Sequence, residues 1–164
     1  MFIHLRQTGE VIEKIVNDCL GLPPGFLKQY NQDRSWDFMV ALLLGITEHE
    51  DGNCITLVVQ DEIGGLEVKK DGNWIPVVPC PGTIVVNLGD VIQVLSNKKF
   101  KSATHRVVRS RERSRHSFAF FYTVEGEKWV EPLPEFTRGI GEYSFVQGLP
   151  GIEDEEQESS TFQA

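Results

Sequence analysis

His49 and Asp51 stand two residues apart, and His105 follows 56 positions after His49. In an extended chain residues i and i+2 project from one face, so an imidazole and a carboxylate can meet at one point. Two imidazoles and one carboxylate make the facial triad that holds non-haem Fe(II) and leaves positions open for substrate and O2. The residue types also allow a plainer reading. A chain with four histidines will often place one near an acid by accident.

Arg115 and Ser117 repeat the i, i+2 spacing ten residues after His105. A guanidinium is a planar fork matched to a carboxylate, and a neighbouring hydroxyl supplies a further donor. The pair is suited to anchoring a carboxylate. The alternative is the solvated edge of a basic strand.

The surrounding sequence indicates what would hold these groups. Residues 8–21 carry a helical pattern, with Val11, Ile15 and Cys19 at i, i+4, i+8, Ile12, Val16 and Leu20 close beside them, Thr8 as N-cap and Gly21 as terminator. A second short helix is predicted from Pro24 through Tyr30. From residue 54 the pattern changes to short strands and tight turns: 55–60, 66–69, a turn at Asp71-Gly72, 74–78, 83–88, 103–108 and 115–123. Residues 91–96 fit either one helical turn or a strand. Short strands at this spacing indicate an antiparallel sandwich or barrel, with a jelly roll a good candidate. Within them Cys54 and Cys80 are expected to pack in the sheet. Phe120, Phe121 and Tyr122 fit either a pocket lining or the alternating core of a strand.

The chain has 164 residues, 16 Lys+Arg against 24 Asp+Glu and 40% hydrophobic residues, which suits one soluble globular domain. Its longest apolar run, residues 38–46, is too short to cross a bilayer, and its first residues lack a signal-peptide layout. Three widely spaced cysteines indicate neither a disulfide framework nor a zinc knuckle, so a reduced, cytoplasmic protein is expected. The net charge of −8 averages two opposed segments. Residues 98–115 hold eight basic side chains, and residues 152–164 hold five acids and no base. Basic clusters invite a nucleic-acid reading. No recognition fold accompanies the charges, and neither a nucleic-acid nor a membrane partner is expected.

The ordered segments Gly45-Ile46-Thr47-Glu48-His49-Glu50-Asp51, Gly64-Gly65-Leu66-Glu67-Val68, Gly89-Asp90-Val91, Ser102-Ala103-Thr104-His105-Arg106-Val107-Val108 and Arg115-His116-Ser117-Phe118-Ala119-Phe120-Phe121 carry a resemblance. Over about residues 20–142 the chain resembles the C-terminal part of plant-type 2-oxoglutarate/Fe(II)-dependent dioxygenases, the isopenicillin N synthase-like family. The resemblance implies a mainly β fold, a double-stranded β-helix (jelly roll) preceded by one or two helices. It implies that His49, Asp51 and His105 ligate Fe(II) and that Arg115 and Ser117 hold the distal carboxylate of 2-oxoglutarate. It further implies ascorbate as reductant, a small-molecule substrate of plant specialised metabolism that is hydroxylated or desaturated, and succinate and CO2 as co-products.

Three departures from the family pattern shape the remaining expectations. The H-x-D stands only 48 residues from the first residue, where the family has a sizeable preceding region. The family's Asn-x-Tyr strand is absent, and residues 36–44 run directly into Gly45. The closing C-terminal helix is replaced by an unrelated acidic end. The chain is therefore expected to be truncated and the jelly roll incomplete. The domain reading is a helical segment over 1–35, a dioxygenase core over 36–142 and an acidic disordered tail over 143–164. The alternative function is a catalytically impaired fragment that keeps the ligands and acts by binding.

Overall fold

The computed structural model describes residues 1–30, 37–110, 112–123 and 130–137. The acidic tail expected over 143–164 lies outside the described residues, as do residues 31–36 at the expected domain boundary.

The first helix, α1 (Phe2–Leu20), begins six residues before the predicted start. Met1 precedes it, and Thr8 lies inside it with its hydroxyl donating to the His4 carbonyl at 2.9 Å. Gly21 ends the helix as expected, in the left-handed conformation at φ 69°. The expected apolar pattern holds in part: Val16 and Leu20 are buried and Ile12 packs against the core. Val11, Ile15 and Cys19 face solvent, and the buried face is Leu5, Gly9, Glu13, Val16, Asn17 and Leu20. Two polar residues on that face act as connectors. The Asn17 side chain donates to the carbonyls of Leu22 and Pro23 and accepts from the Leu27 amide, which docks α2 (Phe26–Tyr30). The Tyr122 hydroxyl donates to Glu13 at 2.9 Å and ties the helix to the sheet. Burial and the Glu13 carboxylate push the Tyr122 phenol well above its ordinary value, so it stays a donor. Tyr122→Phe is expected to cost about 1–3 kcal/mol, because it leaves a buried carboxylate short of a donor. Urea unfolding checks this, and an unchanged midpoint would contradict it.

Among the described residues eight strands form two four-stranded antiparallel sheets, the jelly-roll architecture. They are β1 (Phe38–Leu42), β2 (Ile46–His49), β3 (Ile55–Gln60), β4 (Leu66–Lys70), β5 (Asn73–Pro76), β6 (Val85–Leu88), β7 (His105–Val107) and β8 (Ser117–Tyr122). One sheet has the order β1-β8-β3-β6 and the other β2-β7-β4-β5. Two further helices are α3 (Asp90–Leu95) and α4 (Pro134–Thr137). The segment expected over 91–96 thus resolves as helix, with Ser96 as its C-cap. Amides of Gly89, Asp90 and Val91 donate to the carbonyls of Cys54, Asp51 and Asn53, and Val91, Ile92, Val94 and Leu95 are all buried. The β4–β5 turn at Asp71-Gly72 has positive φ at both residues, as a tight two-residue hairpin requires. The expected β5 was too long, since Val77 and Val78 lie beyond it.

Strand register sorts the first sheet into two faces, because directly opposed residues share a side. One face carries Ile55, Leu57, Phe120 and Tyr122, which pack against α1 and α3 in the main core. The Phe2 ring meets the Phe120 ring edge-on at 5.2 Å. The opposite face shows three cross-strand rows. They are Asn87–Thr56–Phe121–Phe38, then Val85–Val58–Ala119–Val40, then Gln60–Ser117–Leu42. In the second sheet one face is charged, with Glu67 paired to Arg106 and Lys69 to Glu48. Its other face carries His49, His105, Val68, Leu66 and Val107. Cys54 packs in the sheet as expected, whereas Cys80 is exposed in the Pro79–Gly82 turn.

Candidate metal centre and carboxylate anchor

β2 and β7 pair antiparallel, and the register places His49 opposite His105. Asp51 follows β2 after one residue, so the i, i+2 spacing survives past the strand end. The ring centroids of the two histidines are 4.3 Å apart. Both imidazoles are oriented in the same way. The Nδ1–H of His49 donates to the Thr47 carbonyl at 2.8 Å, and that of His105 to the Ala103 carbonyl at 2.9 Å. A backbone acceptor at Nδ1 fixes the tautomer and leaves the Nε2 lone pair free. The two Nε2 atoms stand 3.7 and 3.6 Å from Asp51 Oδ1. One ligand atom from each of the three residues lies within 4.8 Å of the others.

Asp51 is 5% exposed, and its Oδ2 has no hydrogen-bond partner among the described residues. A buried carboxylate with an unpartnered oxygen is costly unless a cation compensates it. The donor set, two imidazole nitrogens and one carboxylate oxygen, fits Fe(II) among the divalent metals. The chemistry of these residues therefore accommodates the metal.

The Asp51 loop is held by the chain that follows β6. Gly89 approaches it so closely that an added Cβ would lie 2.7 Å from the Asp51 carbonyl oxygen and closer still to that of Asn53. Gly89→Ala must push this loop aside. We expect a loss of about 1–3 kcal/mol in folding stability, together with weaker metal binding. Unfolding and metal titrations on the same variant check it, and an unchanged result in both would contradict the packing.

Arg115 and Ser117 are 2% and 3% exposed. Arg115 Nε donates to the Gly64 carbonyl at 2.8 Å, while its Nη1 and the Ser117 Oγ have no partner among the described residues. Burial holds the Arg115 guanidinium below its ordinary pKa, against the pull of the Asp61 charge. Asp61 itself accepts from the amides of Ile63 and His116. No carboxylate among the described residues forms an ion pair with Arg115. A buried cation with an idle fork arm beside an idle hydroxyl is a receptor for a carboxylate. The solvated-edge alternative for this strand is thereby excluded. Within the basic segment, Arg106 pairs with Glu67 and lies over Trp74, Arg113 pairs with Glu62, and Lys99 lies over the Phe136 ring.

Three groups escaped the sequence reading. β1 was not recognised as a strand, because its continuous apolar run hides any period. Gln60 and Asn87 each present a buried side-chain atom without a partner on the Ser117-bearing face. A polar residue inside an apolar strand such as Val85–Leu88 was the available signal. Phe121 lies on that same face, whereas Phe120 and Tyr122 belong to the core, so the aromatic triplet divides by alternation. Among the described residues no helix is long and apolar enough to cross a membrane.

Comparison with known proteins places this geometry in context. Gibberellin 20 oxidase 2 of Oryza sativa subsp. indica is 45% identical over 140 residues, covering 80% of this chain and 36% of that protein. Protein DMR6-LIKE OXYGENASE 2 of Arabidopsis thaliana is 46% identical over 94 residues, covering 57% of this chain and 27% of that protein. The chain thus spans about a third of the length of these relatives. The crystal structure of JOX2 in complex with 2OG, Fe and JA superposes with a TM-score of 0.77 at 29% identity, over 82% of this chain and 44% of that one. The profile of the family described as the 2OG-Fe(II) oxygenase superfamily matches residues 26–124, and the chain belongs to that superfamily.

Proposed function

We propose that this chain binds Fe(II) through His49, Asp51 and His105, binds 2-oxoglutarate through Arg115 and Ser117, and oxidises a small organic metabolite. The observation that carries the reading is the set of unpartnered buried polar atoms, Asp51 Oδ2, Arg115 Nη1 and Ser117 Oγ. They ask for a cation at one place and a carboxylate at another. One divalent cation, one carboxylate and one guanidinium leave two positive charges, which a dicarboxylate dianion cancels.

Bound together, Fe(II) and 2-oxoglutarate supply oxidative chemistry in which O2 converts the keto acid to succinate and CO2 and the substrate is hydroxylated or desaturated. The chain's own residues position and shield. His49 and His105 present Nε2 because their Nδ1 protons are held by backbone carbonyls. Arg115 is itself positioned by the Gly64 carbonyl, so its remaining arm is directed before any ligand arrives. Preorganised donors of this kind lower the cost of ordering a ligand. Ascorbate is the proposed reductant. The proposed setting is plant specialised metabolism in the cytoplasm; the plant relatives support the first part, and three cysteines without a disulfide suit the second.

A second reading rests on β1. Among the described residues this strand is the edge of its sheet, and Phe38, Met39 and Val40 are all exposed. An uncharged, unprotected apolar edge favours pairing with another chain. Under that reading the protein keeps its ligands and acts by association. Incubation with Fe(II), ascorbate and 2-oxoglutarate decides between the two. Succinate above the level of an iron-free control supports the oxygenase; a protein that binds Fe(II) yet releases none is the binding form.

A further inference from the structure

Asn87 lies in β6, 7% exposed, and its Nδ2 has no hydrogen-bond partner among the described residues. Leaving a buried amide donor idle costs more than the bond itself is worth, so such a group calls for a partner, an ordered water or a ligand. Its position says which ligand. Asn87 belongs to the cross-strand row with Thr56 and Phe121, on the face of the sheet that also carries Ser117. Two and three residues further on, the backbone of Gly89 and Asp90 touches the Asp51 carbonyl, so Asn87 marks the end of the sheet nearest the metal triad. Ser117 marks the other end. The two rows are four residues apart along β3, or about 13 Å. A five-carbon diacid spans about half that distance, so a 2-oxoglutarate held by Arg115 and Ser117 ends short of Asn87.

Resting on the co-substrate reading above, we infer that Asn87 is a specificity-determining donor for the oxidised substrate. That substrate carries an oxygen acceptor, a carboxylate or hydroxyl, next to an apolar or aromatic body. The amide N–H takes the oxygen. Phe121, stacked on Phe38 at 4.6 Å in the same row, supplies a flat apolar wall for the body. A substrate lacking the oxygen would leave the donor unpaired and be rejected.

Amide spectra of the full chain loaded with Zn(II), which stands in for Fe(II) without turnover, test this. The Asn87 side-chain signal is identified by its loss in Asn87→Ala. 2-Oxoglutarate is expected to shift the Arg115 and Ser117 signals and leave the Asn87 side chain in place. Benzoate or benzyl alcohol, added next, is expected to shift the Asn87 signal, and toluene is not. In Asn87→Leu the dissociation constant of the oxygen-bearing probe should rise about fivefold, with affinities for Zn(II) and 2-oxoglutarate unchanged. The inference is overturned if neither oxygen-bearing probe moves Asn87, or if 2-oxoglutarate alone moves it as much as Ser117. If 2-oxoglutarate moves neither Arg115 nor Ser117, the co-substrate reading itself fails, and this inference with it. An unchanged unfolding midpoint in Asn87→Leu shows that the loss is not structural.

Discussion

Asp51→Ala is expected to lower divalent-metal affinity by more than about a hundredfold, beyond the 10–100-fold typical of changes in groups that only support a ligand. The same change should not weaken the metal-free protein. Asp51 is buried, its Oδ2 is unpartnered, and its Oδ1 stands beyond hydrogen-bond distance of both imidazoles. In the absence of a cation it is a buried carboxylate whose Oδ2 has no described partner. Its removal is expected to leave metal-free stability unchanged or to raise it by about 1–3 kcal/mol. The two effects have opposite signs, which separates a ligand from a structural residue. Urea unfolding without metal and a Mn(II) titration, run on wild type and variant, measure both. Equal metal affinity in the two proteins would exclude Asp51 as a ligand.

Arg115→Leu is expected to weaken 2-oxoglutarate binding by about 2 kcal/mol or more, roughly thirtyfold, while metal affinity is retained. The side chain is almost fully buried, one arm is occupied by the Gly64 carbonyl, and the other awaits an acceptor. Arg115→Lys should recover only part of the loss. An ammonium restores the charge but not a fork that can hold Gly64 and a carboxylate oxygen together. Calorimetric titration of the metal-loaded variants gives the comparison. Equal affinities for wild type, Lys and Leu would remove Arg115 from the anchor.

Part of the candidate site was legible in the sequence because its spacing is local, and the resemblance supplied the proposed roles. The i, i+2 spacing of an extended chain suggested His49 with Asp51 and Arg115 with Ser117, although Asp51 and Arg115 lie just outside β2 and β8. The pairing of His49 with His105 is not local. It depends on β2 meeting β7 in one register across 56 residues, which spacing alone leaves undetermined. The strands from 55 onward were legible because turns at Gly64-Gly65 and Asp71-Gly72 punctuate them. β1 was not, because an apolar edge strand exposed on both faces carries no alternation. The buried face of the helix was legible only in part, for another reason. Periodicity assigns Glu13 and Asn17 to solvent, yet both are buried, one bonded to Tyr122 and the other to the start of α2. Hydrophobic patterns find apolar contacts and overlook polar connectors. Asn87 escaped for the same reason.

The most direct test is calorimetric titration of 2-oxoglutarate into the protein loaded with Mn(II), which occupies the triad without turnover. One molecule per chain, bound only when the metal is present and lost in Arg115→Leu, is the predicted result. No binding to the metal-loaded protein, or equal binding with and without metal, would contradict a site shared between the His49–Asp51–His105 triad and the Arg115–Ser117 anchor.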